Sequence, residues 1–276
     1  MLPSENSCAM PRLSVITVNL NNRAGLQKTI ESVEAQRFTD FEWLVVDGGS
    51  TDGSRELLAD HADRISHWVS EPDHGIFQAM NKGIRASSGT YLLFLNSGDA
   101  LCDAEVLAKA VPQLQGKDFY VGNEWRGDTV VYRRVATDAE LCASLTEASF
   151  PHQSTFIHRR VFSEYGYYRE DLRCASDWWF FYRAVITGTA SVEKLHLTVA
   201  VFDMHGISQT EQALAERRAL LATLPRVDKA VRFYYENSDI VSALRANRSL
   251  FFLFRCYFFC YRTWKKWCKK FSSRHA

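Results

Sequence analysis

Buried strands alternate with amphipathic helices through the first part of this chain, and that order limits the folds open to it. Apolar, β-branched runs at 13–19 and 41–46 are typical of strands covered on both faces. Each is followed by a segment, 24–36 and 55–62, whose apolar residues recur at helical spacing. The order β-α-β-α predicts an α/β fold with a mainly parallel sheet flanked by helices.

The rest of the chain predicts further elements in a less regular order. We expect a short strand at 67–70, a helix over 76–86 and a buried strand from Thr90 that ends before Asn96. Later segments predict a hairpin (118–123 with 129–133), a last strand region (191–203) and two helices (209–224 and 227–245). We therefore divide the chain into an N-terminal tail (1–11), an α/β domain (12–208) and a C-terminal helical region (209–276).

Composition excludes several classes of protein. The chain has 276 residues and a net charge of +1, which argues against a general nucleic-acid binder. Its seven cysteines are odd in number and form no Cys-x-x-Cys pair, which argues against a disulfide framework or a zinc ribbon and fits a reducing compartment. We see no secretory signal and no apolar run long enough to span a bilayer.

Acidic residues stand where two of the predicted strands end. Ligands of open α/β sheets bind outside the carboxyl ends of the strands, so Asp99 is the first candidate for a metal or substrate ligand. The alternative is that Asp99 only caps the next helix. Asp47 precedes two glycines, which would let a nucleoside approach closely; the alternative is a turn with a helix cap at Ser50 or Thr51.

Two common nucleotide-binding motifs are missing from the sequence. The Gly-x-Gly-x-x-Gly spacing does not follow Asp47, which disfavours a dinucleotide-binding oxidoreductase. A Gly-Lys-Ser/Thr loop is also absent, which disfavours a P-loop ATPase.

Five motifs in order carry a resemblance to a known family. They are Ser-Val-Ile-Thr-Val-Asn (14–19), Val-Val-Asp-Gly-Gly-Ser-Thr-Asp-Gly-Ser (45–54), Glu-Pro-Asp-His-Gly (71–75), Ala-Met-Asn-Lys-Gly-Ile (79–84) and Leu-Asn-Ser-Gly-Asp (95–99). Together they resemble the family-2 glycosyltransferases of GT-A fold, most of all the bacterial branch that builds exopolysaccharide, capsule and O-antigen. The resemblance covers about 12–205. It implies transfer of a sugar from a nucleotide diphosphate donor to an acceptor hydroxyl, with inversion.

The resemblance also implies a donor site. In this site, Asp47 would hydrogen-bond the nucleobase of the donor, and Asp73 would lie in a loop that closes over the nucleoside. Lys82 would face the donor, although a lysine in a helix is by itself only a solvated charge. The remaining residues of this site line the nucleoside pocket or share the loop after Asp47: Thr17, Asn19, Ser50 and Asp52.

The metal motif of the family is incomplete in this chain. Asp99 matches the last aspartate of an Asp-x-Asp-type motif, but the first position is Asn96. We still expect Mg²⁺ or Mn²⁺, because such ions use one or two carboxylates together with substrate phosphates and waters. The missing charge predicts weak affinity for the free ion.

Three residues of the second half complete the predicted site. Asp177, at the start of an apolar helix, matches the family's catalytic base; the alternatives are a helix cap, or Glu170 or Asp171 as the base. His152 would touch an acceptor sugar or a phosphate, or else serve the structure. His205 would reach the diphosphate or metal, or else lie in a plain turn.

The segment 249–271 combines large aromatic side chains with six basic residues. Its apolar part, 250–261, has only 12 residues, whereas a membrane span needs about 20. As a helix it has the composition of an element that lies in the membrane interface. We therefore expect a cytoplasmic protein held on the inner face of the plasma membrane, near a lipid-linked acceptor. The alternative is a core helix with a solvated basic end.

Two other functions stay open from sequence. The chain could bind a nucleotide-sugar without catalysis, as a subunit that supports an active partner, and the missing acid at Asn96 favours this. It could also be a nucleotidyltransferase, but the segment 19–25 offers only Arg23 to a triphosphate.

Overall fold

The computed structural model describes residues 11–127, 129–131, 144–145, 148–204 and 211–224. The chain divides into two compact units, Met1–Ala213 and Leu214–Ala276, where the sequence suggested a boundary after residue 208. The site predictions at His205 and the predictions for 227–245 and 249–271 lie outside the described residues. In the part of the chain that the structure describes, no helix is both long and apolar enough to cross a membrane.

One mixed sheet forms the centre of the first unit. Its strands are β1 (Leu13–Asn19), β2 (Glu42–Asp47), β3 (His67–Ser70), β4 (Tyr91–Phe94), β5 (Ala100–Leu101), β6 (Phe119–Arg126), β7 (Thr129–Val131), β8 (Thr155–His158) and β9 (Val192–Phe202). They pair in the order β3-β2-β1-β4-β8-β6-β9-β5, and β7 pairs with β6. The prediction of an α/β fold is confirmed, as are the strands 13–19 and 67–70.

Helices flank the sheet. They are α1 (Arg23–Glu34), α2 (Ser54–Asp60), α3 (Ile76–Ala86), α4 (Val106–Ala110), α5 (Arg160–Tyr165) and α6 (Ser176–Phe181). Single turns of other helix types cover Val111–Gln113, His152–Ser154 and Tyr182–Thr187. The predicted helix 76–86 is confirmed in its bounds. The predicted helix 209–224 is found as α7 (Glu211–Ala222), which begins in the first unit and ends in the second.

Because most strands of the sheet run in the same direction, segments that are distant in the chain meet at one edge of the sheet. Strands β1 to β4 are mutually parallel, β8 runs against β4, and β6 runs against β8. Strand β6 therefore points the same way as β1, and β9 runs parallel to β6. The carboxyl ends of β1–β4, β6 and β9 share one edge of the sheet, and β8 begins there.

The hairpin prediction needs one correction. We expected 124–128 to connect its strands, but Glu124, Trp125 and Arg126 belong to β6 and pair antiparallel with Val131, Val130 and Thr129 of β7. A tight turn after Arg126 lets the ladder continue to the end of β6. The longer strand carries Glu124 and Arg126 to the edge where β1–β4 end.

Two apolar cores lie on the two faces of the sheet. One joins alternate residues of β1 and β2 to α1, α2 and α4, and the other joins the remaining residues to α3, α5 and α6. The second core is rich in aromatic rings. Phe162 of α5 stacks on Phe180 of α6 at 4.6 Å, and Phe181 meets Phe119 of β6 edge-on at 5.4 Å. These contacts fix α6, the helix that carries Asp177, against the sheet.

Candidate active site

Polar side chains from distant parts of the chain meet at the edge where the parallel strands end. Asn19 and Asp47 are the last residues of β1 and β2, and Asn96 follows β4 closely. His152 lies in the single turn before β8, which starts at this edge. The site has a half built on β1–β3 and a half built on β4, β6, β8 and β9.

Asp47 is the centre of the first half. It is 0% exposed, and both of its oxygens accept hydrogen bonds. Oδ1 accepts from Asn19 Nδ2 (2.7 Å) and Ser50 Oγ (2.6 Å), and Oδ2 accepts from Ser50 N (2.9 Å) and Ser70 Oγ (2.6 Å). Burial raises the pKa of Asp47, but the hydrogen bonds from Ser50, Ser70 and Asn19 outweigh it and hold the pKa below its ordinary value.

The loop after Asp47 is held closely against its neighbours. Asp52 accepts from the backbone N–H of Arg23 (2.7 Å) and from Ser54 Oγ (2.6 Å), which joins the loop to the start of α1 and α2. At Gly48 a Cβ atom would lie 2.4 Å from Asp73 Oδ2, so only glycine allows that carboxylate its place. The structure therefore brings together Asp47, Ser50, Asp52 and Asp73, which the sequence placed in one donor site.

Lys82 faces the loop that contains Asp73. Its Nζ lies 2.7 Å from Glu71 Oε1 and 3.3 Å from the carbonyl oxygen of Pro72. The side chain is one quarter exposed. Lys82 is thus partnered by the loop rather than merely solvated.

Thr17 is the predicted site residue that the structure places elsewhere. It is 0% exposed, and its Oγ1 accepts a hydrogen bond from the indole N–H of Trp43 at 3.1 Å. Its strand position directs it into the apolar core between β1, β2 and α1. We therefore leave Thr17 out of the site; Asn19, two residues further along the same strand, reaches it.

Asp99 is the centre of the second half. It is 4% exposed, and its Oδ1 accepts from the backbone N–H of Asp203 at 2.8 Å. Burial raises the pKa of Asp99 to about 6; His152 and the Asp203 N–H lower it, whereas the carboxylates of Asp203 and Glu124 raise it. The charged form of Asp99 is therefore incompletely compensated by the protein.

His152 lies between Asp99 and Asp177. Its Nε2 is 3.9 Å from Asp99 Oδ2, and its Nδ1 is 3.8 Å from Asp177 Oδ2. Burial lowers the pKa of His152, but Asp177 and Asp99 outweigh it and hold the pKa above its ordinary value. With a side chain 16% exposed, His152 lies between the carboxylate predicted to bind a metal and the carboxylate predicted to be the base.

Asp177 lies in the first turn of α6, whose N-cap residue is Ala175. The Oδ1 atom of Asp177 accepts from the N–H of Trp178 in that turn (2.7 Å), and Oδ2 accepts from Ser149 Oγ (3.2 Å). The side chain is 14% exposed. Asp177 is therefore not the N-cap residue, although its carboxylate accepts a hydrogen bond from a first-turn N–H.

The two competing carboxylates point elsewhere. Glu170 accepts from Asn81 Nδ2 (2.9 Å) and Gln78 Nε2 (3.1 Å) of α3, and these bonds lower its pKa. Asp171 is exposed and pairs with Arg169. Both are held in other interactions, so Asp177 is the carboxylate of this segment that faces His152.

Sequence reasoning missed two acidic residues of this half. Glu124 is 2% exposed and accepts from Gln153 Nε2 and from Arg126 Nε (2.9 Å), which fixes the turn that carries His152. Asp203 directly follows β9, and a Cβ atom at Gly98 would lie 2.3 Å from its Oδ2. The rule that selected Asp99, an acid at the end of a strand, would have selected Asp203 too.

The donor atoms here suit a hard cation when a ligand completes the set. Among the described residues, no three His, Cys, Asp or Glu side chains form a metal cluster on their own. Asp99 offers a carboxylate, and the buried Oδ1 atom of Asn96 has no hydrogen-bond partner in the described part. Oxygen ligands of this kind fit Mg²⁺ or Mn²⁺ with phosphate oxygens and waters in the other positions.

Comparison with protein families gives a match that covers the strands and loops carrying Asp47, Asp99 and His152 and ends shortly before Asp177. The model described as "Glycosyl transferase family 2" matches residues 14–174. An uncharacterized glycosyltransferase of Mycobacterium tuberculosis, Rv1514c, is 33% identical over 212 residues, which is 74% of this chain and 80% of that protein. The PGL/p-HBAD biosynthesis glycosyltransferase Rv2957 of the same organism is 30% identical over 209 residues, 73% and 81% of the two chains.

Solved structures share the fold at low identity. TarS of S. aureus in complex with UDP-GlcNAc superposes with a TM-score of 0.64 at 16% identity, over 82% of this chain and 72% of that one. The mannosyltransferase PcManGT of Pyrobaculum calidifontis, in complex with GDP-Man and Mn²⁺, gives 0.62 at 17% identity, over 94% and 84%. Both neighbours have the mixed α/β sheet with flanking helices seen here.

Proposed function

The chain belongs to the family-2 glycosyltransferases, and from that premise we propose that it transfers a sugar, with inversion, from a nucleoside diphosphate donor to an acceptor hydroxyl. The observation that carries the proposal is the position of His152 between Asp99 and Asp177. In this proposal Asp99 lies on the side where the donor diphosphate leaves. Asp177 lies across the imidazole, on the side where the acceptor enters.

Asp177 acts as the general base in this proposal. An acceptor hydroxyl has a high pKa and needs a proton acceptor as the new bond forms. Fixed by α6 and by hydrogen bonds from Ser149 and Trp178, the carboxylate has a defined position and is still 14% exposed. A single carboxylate opposite the leaving group is sufficient for one displacement, which inverts the anomeric centre.

The half built on β1–β3 binds the nucleoside. Asp47 holds the loop 48–53, and Asp73 and Lys82 close its far side. The buried Oδ1 of Asn19 has no hydrogen-bond partner among the described residues, which leaves it open to a donor group of the ligand. TarS and PcManGT bind UDP-GlcNAc and GDP-Man on the same fold; the base and sugar used here are left to experiment.

A divalent cation belongs to the proposed donor complex. Asp99 and the side-chain Oδ1 atom of Asn96 would hold it beside the diphosphate, with Asp203 close by. Bound there, Mg²⁺ or Mn²⁺ would stabilise the negative charge of the leaving nucleoside diphosphate.

The acceptor in this proposal is a lipid-linked saccharide of bacterial surface polysaccharide assembly. Relatives include the PGL/p-HBAD enzyme and, over 92 residues at 36% identity, the putative teichuronic acid biosynthesis glycosyltransferase TuaG of Bacillus subtilis. The basic aromatic segment 249–271 supports a place on the cytoplasmic face of the plasma membrane, because each basic residue near an anionic surface contributes about 1 kcal/mol.

Liposome co-sedimentation tests the membrane part. The full chain should bind vesicles that contain anionic lipid, less so at high salt, and a chain that ends at Asn247 should not bind. Failure of the full chain to bind, or unfolding of the shortened chain, would assign the segment to a core.

A mass-spectrometric screen tests the activity. UDP-, GDP- and dTDP-sugars are incubated with the protein and Mn²⁺, with Mn²⁺ and chelator, and with the variant Asp177→Asn. One donor should be consumed by wild type with metal but not with chelator, and not by Asp177→Asn, whereas the exposed control Asp171→Asn should behave like wild type. Consumption that survives both chelator and Asp177→Asn would contradict the proposal.

A binding protein without catalysis is the second candidate, and Asn96 in place of an acid favours it. Such a protein would bind a nucleotide-sugar in calorimetry and consume none of the donors in the screen. The nucleotidyltransferase alternative is dropped, because the chain belongs to a glycosyltransferase family.

A further inference from the structure

Asn81 is a buried amide in the middle of α3 with a specific set of partners. It is 1% exposed. Its Oδ1 accepts from the N–H of Tyr168 at 3.1 Å, and its Nδ2 donates to the carbonyl oxygen of the same residue at 2.8 Å. One side chain thus satisfies both backbone groups of Tyr168, as a residue of a neighbouring strand would.

The same face of α3 also binds the residue two positions later. Asn81 Nδ2 donates to Glu170 Oε1 at 2.9 Å, and Gln78 Nε2 donates to Glu170 Oε2 at 3.1 Å. Arg85 lies 3.7 Å from Glu170 and places its guanidinium 4.9 Å from the ring centre of Tyr167. Residues 167–170 are therefore docked on α3 by side chains one and two turns apart.

A further hydrogen bond joins this docked segment to Ser176, the residue before the proposed base. The backbone N–H of Arg169 donates to Ser176 Oγ at 2.5 Å. Ser176 is 1% exposed, begins α6 and immediately precedes Asp177. Each step from Asn81 to Asp177 is thus a hydrogen bond or a peptide bond.

The next residue of α3 serves the other half of the site. Lys82 pairs with Glu71 and donates to the carbonyl oxygen of Pro72. One turn of α3 therefore holds both the loop beside the nucleoside pocket and the segment that leads to the base.

We propose that Asn81 is a positioning residue for the reaction: by binding Tyr168 and Glu170 it sets where Asp177 stands relative to the donor. The inference rests on the proposed role of Asp177 as the base. A misplacement of about 1 Å can cost on the order of 10²-fold in rate. Loss of Asn81 should therefore reduce kcat and leave donor binding intact.

The test is a double-mutant cycle with Asn81→Asp and Glu170→Gln. Asn81→Asp keeps an acceptor for the Tyr168 N–H, loses the donor, and sets a carboxylate against Glu170. It should lower kcat by about 10–100-fold, with the donor Kd from calorimetry within about twofold of wild type. Glu170→Gln alone should have a small effect. In the double variant the amide introduced at position 170 can donate to the carboxylate introduced at position 81, and kcat should recover to several-fold above that of Asn81→Asp.

Two further measurements separate positioning from general damage. Gln78→Ala is the comparison, because it removes a bond to Glu170 and one from the N–H of His74 but none to Tyr168, and it should lower kcat less than Asn81→Asp does. Amide hydrogen exchange should speed up at residues 166–175 in Asn81→Asp and return towards wild type in the double variant.

The outcomes distinguish this inference from the proposed function. If Asp177→Asn loses turnover while Asn81→Asp keeps wild-type kcat, the positioning role of Asn81 is wrong and the assignment of Asp177 as the general base is retained. If Asn81→Asp loses kcat but the double variant recovers nothing and donor binding is lost as well, Asn81 serves the fold alone. If Asp177→Asn turns over like wild type, the base assignment is wrong and the inference is lost with it.

Discussion

Asp47 and Asp99 lie at the same edge of the sheet but differ in how the protein treats their charge. Asp47 is the last residue of the parallel strand β2, Asp99 lies in the loop that follows the parallel strand β4, and the two are 0% and 4% exposed. Asp47 accepts four hydrogen bonds and has a lowered pKa, whereas Asp99 accepts one backbone N–H and has its pKa raised to about 6. One carboxylate is satisfied by the fold, and the other is left to a ligand.

The difference assigns separate tasks to the two halves of the site. A carboxylate has about four lone-pair positions, and in Asp47 all of them are used. A nucleoside N–H would have to replace a serine hydroxyl to reach it, so we expect Asp47 to act mainly by holding the loop 48–53. Asp99 retains an acceptor oxygen that faces His152 at 3.9 Å, beyond hydrogen-bond distance.

The largest expected effect concerns the half that contains Asp99. Asp177→Asn should lower kcat by about 10²–10⁴-fold, because the acceptor hydroxyl loses its base. Donor affinity, measured by calorimetry, should be unchanged, since the nucleoside binds on the other half. Turnover within a few-fold of wild type would remove Asp177 from this role.

The next largest effect is expected at Asp47, whose two oxygens accept four hydrogen bonds from the protein. Asp47→Ala should lower the free energy of unfolding by about 2–4 kcal/mol, because buried donors from Asn19, Ser50 and Ser70 lose their acceptor. It should also weaken nucleotide binding with or without metal. Urea unfolding and calorimetry measure the two effects.

Thr17→Val is the matched control for Asp47→Ala. It also removes a buried acceptor, that of the Trp43 indole, but lies outside the site. It should destabilise by about 1–3 kcal/mol and leave nucleotide affinity unchanged. A loss of nucleotide affinity in this variant would return Thr17 to the pocket.

Replacement of Asp99 is expected to have a smaller effect and to raise, rather than lower, the free energy of unfolding. Because its pKa is raised, folding favours the protonated form, and the charged form costs stability as pH rises through about 6. Without metal at pH 8, Asp99→Asn should therefore raise the free energy of unfolding, on the order of 2–3 kcal/mol. The gain should shrink towards pH 5, as wild-type Asp99 takes up its proton. Destabilisation at pH 8 would show that the protein already compensates the Asp99 charge.

Much of the fold followed from local patterns, whereas the polar contacts did not. The strand 13–19 and the helix 76–86 are set by their own apolar periodicity, and they were predicted with their bounds. The bond between Asp203 and Asp99 joins residues 104 positions apart. No local pattern shows that β8 enters antiparallel between β4 and β6, yet that insertion carries His152 to the site.

Residues that end or follow a strand were the easiest to place at this edge from the sequence. Asp47 and Asp99 were selected in this way, whereas Asn19 was assigned by resemblance, and the same rule missed Asp203 only because it was not applied there. Thr17 was assigned to the pocket by resemblance, but it lies two residues before the end of β1, on the same face as Asn19, where Trp43 and the core cover it. Glu124 could not be found from sequence, because its burial depends on how far the β6 ladder extends.

Calorimetric titration of a nucleoside diphosphate with and without Mn²⁺ tests the central claim most directly. Wild type should bind more tightly with Mn²⁺. Asp99→Asn should lose that gain and keep the metal-free affinity, whereas Asp47→Ala should bind more weakly in both conditions and keep the gain. If Asp99→Asn shows the same Mn²⁺-dependent gain as wild type, Asp99 does not serve the metal and diphosphate, and the division of the site between the two carboxylates is wrong.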